Sequence, residues 1–118
     1  MGNAMNPQDT PLIHHTYQLY RTLHEKSASI PKHARHTMWQ RCENSCLDAL
    51  QGLIMVSYLP LSSRREKVLL VSSSVDMLRI LIRLASDTKT IDKKLYLAIQ
   101  EQIDEIGRML GGWLKTLK

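Results

Sequence analysis

The sequence predicts an all-α fold, an antiparallel up-down-up-down four-helix bundle. Three observations carry that expectation. Breakers cut the chain at Pro11, at Pro31 after "SASI", at Pro60 within "YLPLSS" and at the polar run "SDTKT", residues 86–90. The segments between them repeat apolar residues at spacings of three and four, which gathers those residues into one stripe on a helix. No segment shows the strict alternation or closely set hairpin turns of a sheet protein, and no internal repeat or low-complexity tract interrupts the pattern.

Each element follows from its residues. In the first segment Ile13, Tyr17, Tyr20 and Leu23 mark the apolar side. In the second, opened by Pro31, the residues Cys42, Cys46, Ala49, Leu53 and Val56 fall at 4-3-4-3 spacing. In the third, Val68, Val71, Val75, Leu78, Ile82 and Ala85 do the same. Ser62 or Ser63 is the expected cap there, with Glu66 three residues after Ser63 as in a capping box. A second row on that segment, Leu70, Met77, Leu81 and Leu84, exceeds what one stripe needs. It points either to self-association or to a deeply buried central helix. Thr90 or Asp92 can cap the fourth helix, whose stripe is Ile99, Ile103, Ile106, Leu110, Trp113 and Leu117. Connections are short, so consecutive helices should run antiparallel.

The last helix raises a question of its own. "GRMLGGWLKT" holds three glycines, each costing about 1 kcal/mol against alanine in a helix interior. Gly107 and Gly111 stand at i and i+4, hence on one face, where absent side chains would let another helix backbone close in while Trp113 fills the volume beside them. Gly111 or Gly112 as an ordinary C-terminal cap is the rival. The stripe continues through Trp113 and Leu117, which favours an unbroken helix.

With 118 residues the chain fits a single domain. Residues 9–118 are assigned to the bundle and residues 1–8 to a disordered N-terminal tail or a cloning remnant. The chain is 43% hydrophobic but only 5% aromatic, with no Phe, so its core must be built from Leu, Ile, Val and Met. Sixteen Lys and Arg against eleven Asp and Glu give a net charge of +5, a bias toward polyanionic partners. The excess is concentrated. Arg64, Arg65, Lys67, Arg79, Arg83 and Lys89 face only Glu66, Asp76 and Asp87 between Pro60 and Lys89, which leaves +3 of the +5 there.

Arg79 and Arg83 are one turn apart. Two stacked guanidinium groups could grip phosphates or a partner's carboxylates; equally, they could pair with Asp76 or a carboxylate of a neighbouring helix. A second cluster, "PKHARHTMWQR", places Lys32, Arg35 and Arg41 with His33 and His36 at a helix N-terminus. Positive charge there opposes the macrodipole, a conflict that an anionic partner would relieve and that solvent alone would tolerate at small cost.

Catalytic constellations are poor. No Glu is followed three residues later by His, as a bundle di-iron site needs. His33 and His36 could share a metal but show no third ligand; His14, His15 and His24 read as solvated. Cys42 and Cys46 read as buried thiols, and Ser72, Ser73 and Ser74 have no evident base. There is no phosphate-binding glycine loop and no G-x-S-x-G. A non-enzyme without metal or cofactor is the expectation. No apolar run approaches the roughly 18 residues that span a bilayer, and no charged-then-apolar leader with a small-residue cleavage site is read in the sequence, so a soluble cytoplasmic protein with no membrane partner is expected.

"IPKHARHTMWQRC", "MLRILIRLASDTKTIDKKLY" and "EIGRMLGGWLKTL" resemble the accessory variability determinant proteins of diversity-generating retroelements, a family within the wider four-helix-bundle group of ribosomal-RNA intervening-sequence proteins. The likeness runs from about Tyr17 to Leu117, and the glycine-tryptophan ending is its most specific part. It implies a basic, barrel-like homopentamer that binds the element's reverse transcriptase and RNA or DNA, without catalysis. Carried over by residue, Arg79 and Arg83 come first as binding residues, then Lys32, Arg35 and Arg41, with Arg108 as a weaker candidate that could serve assembly instead. Arg64, Arg65 and Lys67 join them as members of the basic stretch, and Gly107, Gly111 and Trp113 are assigned to packing or assembly. An RNA-binding protein of the intervening-sequence type and a plain helical adaptor stay open as alternatives.

Overall fold

Helices account for nearly all of the backbone in the computed structural model, which describes residues 9–117 and contains no strand among them. The tail assigned to residues 1–8, and Lys118, lie outside the described residues. Four long helices, α1 (Asp9–Lys26), α3 (Met38–Val56), α4 (Leu61–Asp87) and α5 (Lys93–Leu114), pack around one apolar core; a 3-10 turn (Ser27–Ser29) and a short helix, α2 (Lys32–Arg35), join the first two. The body measures 45 × 24 × 19 Å, the proportions of rods laid side by side. Helix α3 lies against α1 and α4, and α5 against α4 and α1, with α3–α4 the most extensive interface.

On α1 the apolar side differs from the expected one. Leu12, Thr16, Leu19 and Leu23 are buried, whereas Tyr17 is 53% exposed and Ile13 and Tyr20 only edge the core. Thr16 hid the stripe. Its hydroxyl donates to the Leu12 carbonyl at 2.7 Å, which satisfies the one polar group and lets a threonine occupy an apolar position. Pro11 does not break the helix, because it stands in the first turn, where its missing N–H costs nothing.

The second segment also departs from expectation, since it is not one helix from Pro31. It is broken at His36–Thr37, and Thr37 precedes α3 with φ −122° and ψ −96°. The break turns Trp39 inward beneath α1, where it is fully buried and its indole N–H donates to the Leu23 carbonyl at 3.0 Å. Beyond it the predicted stripe of α3 is buried in full, as is that of α4.

Ser62 and Ser63 do not cap α4. Pro60 is the N-cap residue, and the Ser63 amide donates to its carbonyl at 2.9 Å, so both serines lie inside the first turn. Proline's fixed φ suits the entry to a helix, and α4 begins without a side-chain cap. Helix α4 ends at Asp87, and Lys89 then takes φ 60°, a left-handed conformation that turns the chain back toward α5. Asp92, and not Thr90, caps α5, accepting from the Leu95 amide at 2.8 Å. Helix α5 runs unbroken through its glycines to Leu114; Leu117 lies past its end and is half-buried.

The glycine that brings two helices together is Gly52. A Cβ at Gly52 would lie 2.6 Å from Cγ2 of Val71, so α3 and α4 meet through a missing side chain. At Gly111 and Gly112 a Cβ would meet nothing within 4 Å, and at Gly107 it would meet only the Arg79 guanidinium, at 2.9 Å. Among the described residues, then, no helix backbone closes on the Gly107–Gly111 face.

Opposite outcomes follow for alanine substitution. Gly52→Ala should destabilise the fold, because overpacking of about 1–3 kcal/mol outweighs the roughly 1 kcal/mol gained in helix propensity. Gly111→Ala should stabilise it by about 0.5–1 kcal/mol, having only the propensity gain. Urea midpoints of the two variants, moving in opposite directions, check this.

Candidate functional site

The basic residues of the chain divide into those that the fold uses and those that it leaves in water. Arg35 belongs to the first group. Its guanidinium donates to the carbonyls of Ala28 at 3.1 Å and Ile30 at 3.0 Å, fastening α2 to the turn after α1. Arg64 donates through Nε to the Leu59 carbonyl at 3.0 Å, closing the α3–α4 connection. Arg65 reaches across to the last turn of α5, donating to the carbonyls of Leu114 at 2.8 Å and Leu117 at 3.3 Å. Such charge-assisted bonds to carbonyls near helix ends are structural.

Arg79 is held between helices. It forms an ion pair with Asp104 of α5, and its other terminal nitrogen lies over Gly107. Asp76, the partner one turn away that the sequence offered, stays exposed and pairs with nothing among the described residues. Arg108 is committed locally to Glu105. Lys67 is half-buried in a surface groove between α3 and α4 that has Arg41 at its other end and Asp48 between them.

Three candidates remain in water. Lys32, Arg41 and Arg83 are exposed and form no ion pair with a described carboxylate. Arg83 stands one turn from Arg79 on α4, so one of the two predicted guanidinium groups is engaged and the other is available. Trp113 is buried in the core. Asp104 is the residue that sequence reasoning missed here; helix periodicity carries no signal for which carboxylate of a neighbouring helix will meet a given arginine.

The outer side of α4 also carries an exposed apolar face. On the side of α4 turned away from the core, Leu69, Leu70, Met77, Ile80 and Leu84 are exposed, and α3 adds Leu47, Ile54 and Met55, with Tyr58 just past its end. So many large apolar side chains on neighbouring helices exceed the scattered exposure usual for a monomer. Leu81, the fourth member of the predicted second row, instead packs against the core edge.

The nucleophile inventory is inert. Cys42 and Cys46 are buried, and burial pushes both thiols up to about 12, Glu43 adding to the effect at Cys42. Cys46 donates weakly to the Thr16 carbonyl at 3.5 Å. His33 and His36 are exposed, and among the described residues no group of three or more His, Cys, Asp or Glu is placed to hold a metal. Among those residues, too, no helix is long and apolar enough to cross a membrane.

A family model described as bAvd-like matches residues 12–117 of the chain. No curated protein matches at a significant level.

The two thiols make stability depend on alkaline pH. Their folded pKa lies above the unfolded one, so the native state binds more protons once pH exceeds the unfolded value. Stability from this source is intact below about pH 9 and declines as pH rises toward about 12. Urea titrations across that window should show the decline in the parent and a smaller one in a Cys42→Ala, Cys46→Ala variant. A separate contrast tests the division of arginines: Arg35→Ala should lower stability by about 1–2 kcal/mol, since carbonyls that it satisfies lose their partner, while Arg83→Ala should stay within about 0.5 kcal/mol of the parent.

Proposed function

The chain belongs to the bAvd-like family, and on that premise we propose that it is a non-catalytic accessory protein of a diversity-generating retroelement. It binds the element's reverse transcriptase and nucleic acid, template RNA or its DNA copy, through a basic surface, and it does so in the cytoplasm. The observation that supports this reading most directly is the family match across nearly the whole chain. The exposed Lys32, Arg41 and Arg83 support it chemically, because a cation with no internal partner is the kind that can neutralise phosphate. Arg83 therefore leads the assignment, with Arg41 and Lys32 next; Arg35, Arg64 and Arg65 act through the fold.

In the same reading the bundle is antiparallel and assembles with copies of itself, as a pentamer by resemblance to the family. Antiparallel order is supported by the α4–α5 interface, in which Arg65 near the start of α4 meets Leu114 while Arg79, further along, meets Asp104. Assembly is supported by the apolar outer face of α4, whose Leu70, Met77, Ile80 and Leu84 would be withdrawn from water between copies. Gly107, Gly111 and Arg108 belong to α5, apart from that face.

Binding of a labelled single-stranded RNA, followed by anisotropy, should weaken steeply with salt as counterions are released. Arg83→Ala with Arg41→Ala should weaken it further and flatten the salt slope by roughly 0.7 for each phosphate that is no longer neutralised. Affinity that ignores both salt and these changes would favour a plain helical adaptor. For assembly, Leu70→Glu with Ile80→Glu should yield a helical monomer by sedimentation, and a parent that is already monomeric at high micromolar concentration would remove the oligomer from the proposal.

A further inference from the structure

Arg79 and Arg83 sit one turn apart on α4, about 6 Å along the helix axis, yet they meet different surroundings. Arg83 is exposed and unpaired among the described carboxylates; Arg79 is engaged by Asp104 of α5. The engagement has a seat. Gly107, one turn after Asp104 on the same helix, leaves the space in which the second terminal nitrogen of Arg79 lies, and even a methyl there would come within 2.9 Å of it. Both partners still touch water, with 36% of the Arg79 and 54% of the Asp104 side chain exposed, so the pair is of the kind that exchanges readily.

We infer that Asp104 is an intramolecular competitor for the anion that Arg79 would take, and that it restricts the Arg79–Arg83 pair to ligands carrying consecutive phosphates. The inference rests on the proposed nucleic-acid role of this surface. A single anion arriving at Arg79 must replace a carboxylate already in place and then remain beside its displaced charge, so it gains little. A phosphodiester strand first held by Arg83, which has no such rival, presents its next phosphate to Arg79 at high effective concentration and can displace Asp104. The guanidinium fork offers several N–H donors, so one edge can pass from carboxylate to phosphate while Gly107 keeps the group seated. Asp104 is thus a specificity-determining residue, and Gly107 a positioning one.

The test compares Asp104→Asn with Glu101→Gln, which removes the same charge from an exposed site one turn earlier on α5. Using the labelled single-stranded RNA, Asp104→Asn should tighten binding about 2- to 5-fold and steepen the salt slope, while Glu101→Gln should move it much less. In an Arg79→Ala background the extra gain of Asp104→Asn over Glu101→Gln should vanish. Inorganic phosphate should compete better against RNA on Asp104→Asn than on the parent. Salt-dependent binding by the parent that Asp104→Asn leaves unchanged, or equal gains from the two substitutions, would overturn the role of Asp104 and leave the nucleic-acid reading standing. No RNA binding by either the parent or Asp104→Asn would overturn both.

Discussion

The bundle is built on the packing of α3 against α4, its most extensive interface, which closes tightly at Gly52. With no side chain at Gly52, Val71 can sit against the α3 backbone, and the buried stripes of the two helices interlock along their whole shared length. Once α4 is drawn in on that side, its opposite flank is left for α5, and the two helices meet along the line where Arg65 and Arg79 reach across. The side of α4 facing away from both is then committed to water or to another molecule, and it is there that Leu70, Ile80 and Leu84 stand. The absent side chain at Gly52 thus sets how closely α3 and α4 approach, while apolar spacing decides which side of each helix is core.

A second constraint acts at the α1–α3 corner. Trp39 must be buried and its N–H must find an acceptor, which it does at Leu23. To reach that place the chain breaks at Thr37, and upstream of the break Arg35 ties α2 to the turn after α1 by bonding to the carbonyls of Ala28 and Ile30. The cluster of positive charge that seemed to burden a helix N-terminus is consequently divided. Arg35 belongs to a separate short turn, Arg41 lies in the first turn of α3, and Lys32 faces solvent.

Much of this was legible from residue spacing. The stripes of α3, α4 and α5 followed the predicted residues because Val, Ile and Leu at intervals of three and four leave little choice of face. Where reading failed, local backbone bonding was responsible: Thr16 entered the core by bonding its own helix, and α4 starts after Pro60 with no side-chain cap at all. Helix cost is visible in sequence and helix contact is not: Gly52 looked ordinary yet seats Val71, while within the described residues the conspicuous Gly111 and Gly112 meet nothing. For the candidate site, the pairing of Arg79 with a neighbouring carboxylate was among the options, but only the packing of α5 against α4 selects Asp104. Which cations the fold consumes depends on carbonyls distant in sequence, as with Arg65 and Leu114, and no local pattern reveals that.

The tether made by Arg65 has a practical corollary. By holding the carbonyls of Leu114 and Leu117, it moors the last turn of α5 and the residues just after it to the root of α4. A fluorophore attached at the exposed Lys115, beside this tether, would therefore sit on an anchored turn. Distances measured from such a label would report on the orientation of the whole rod assembly, and not on the wandering of a loose strand.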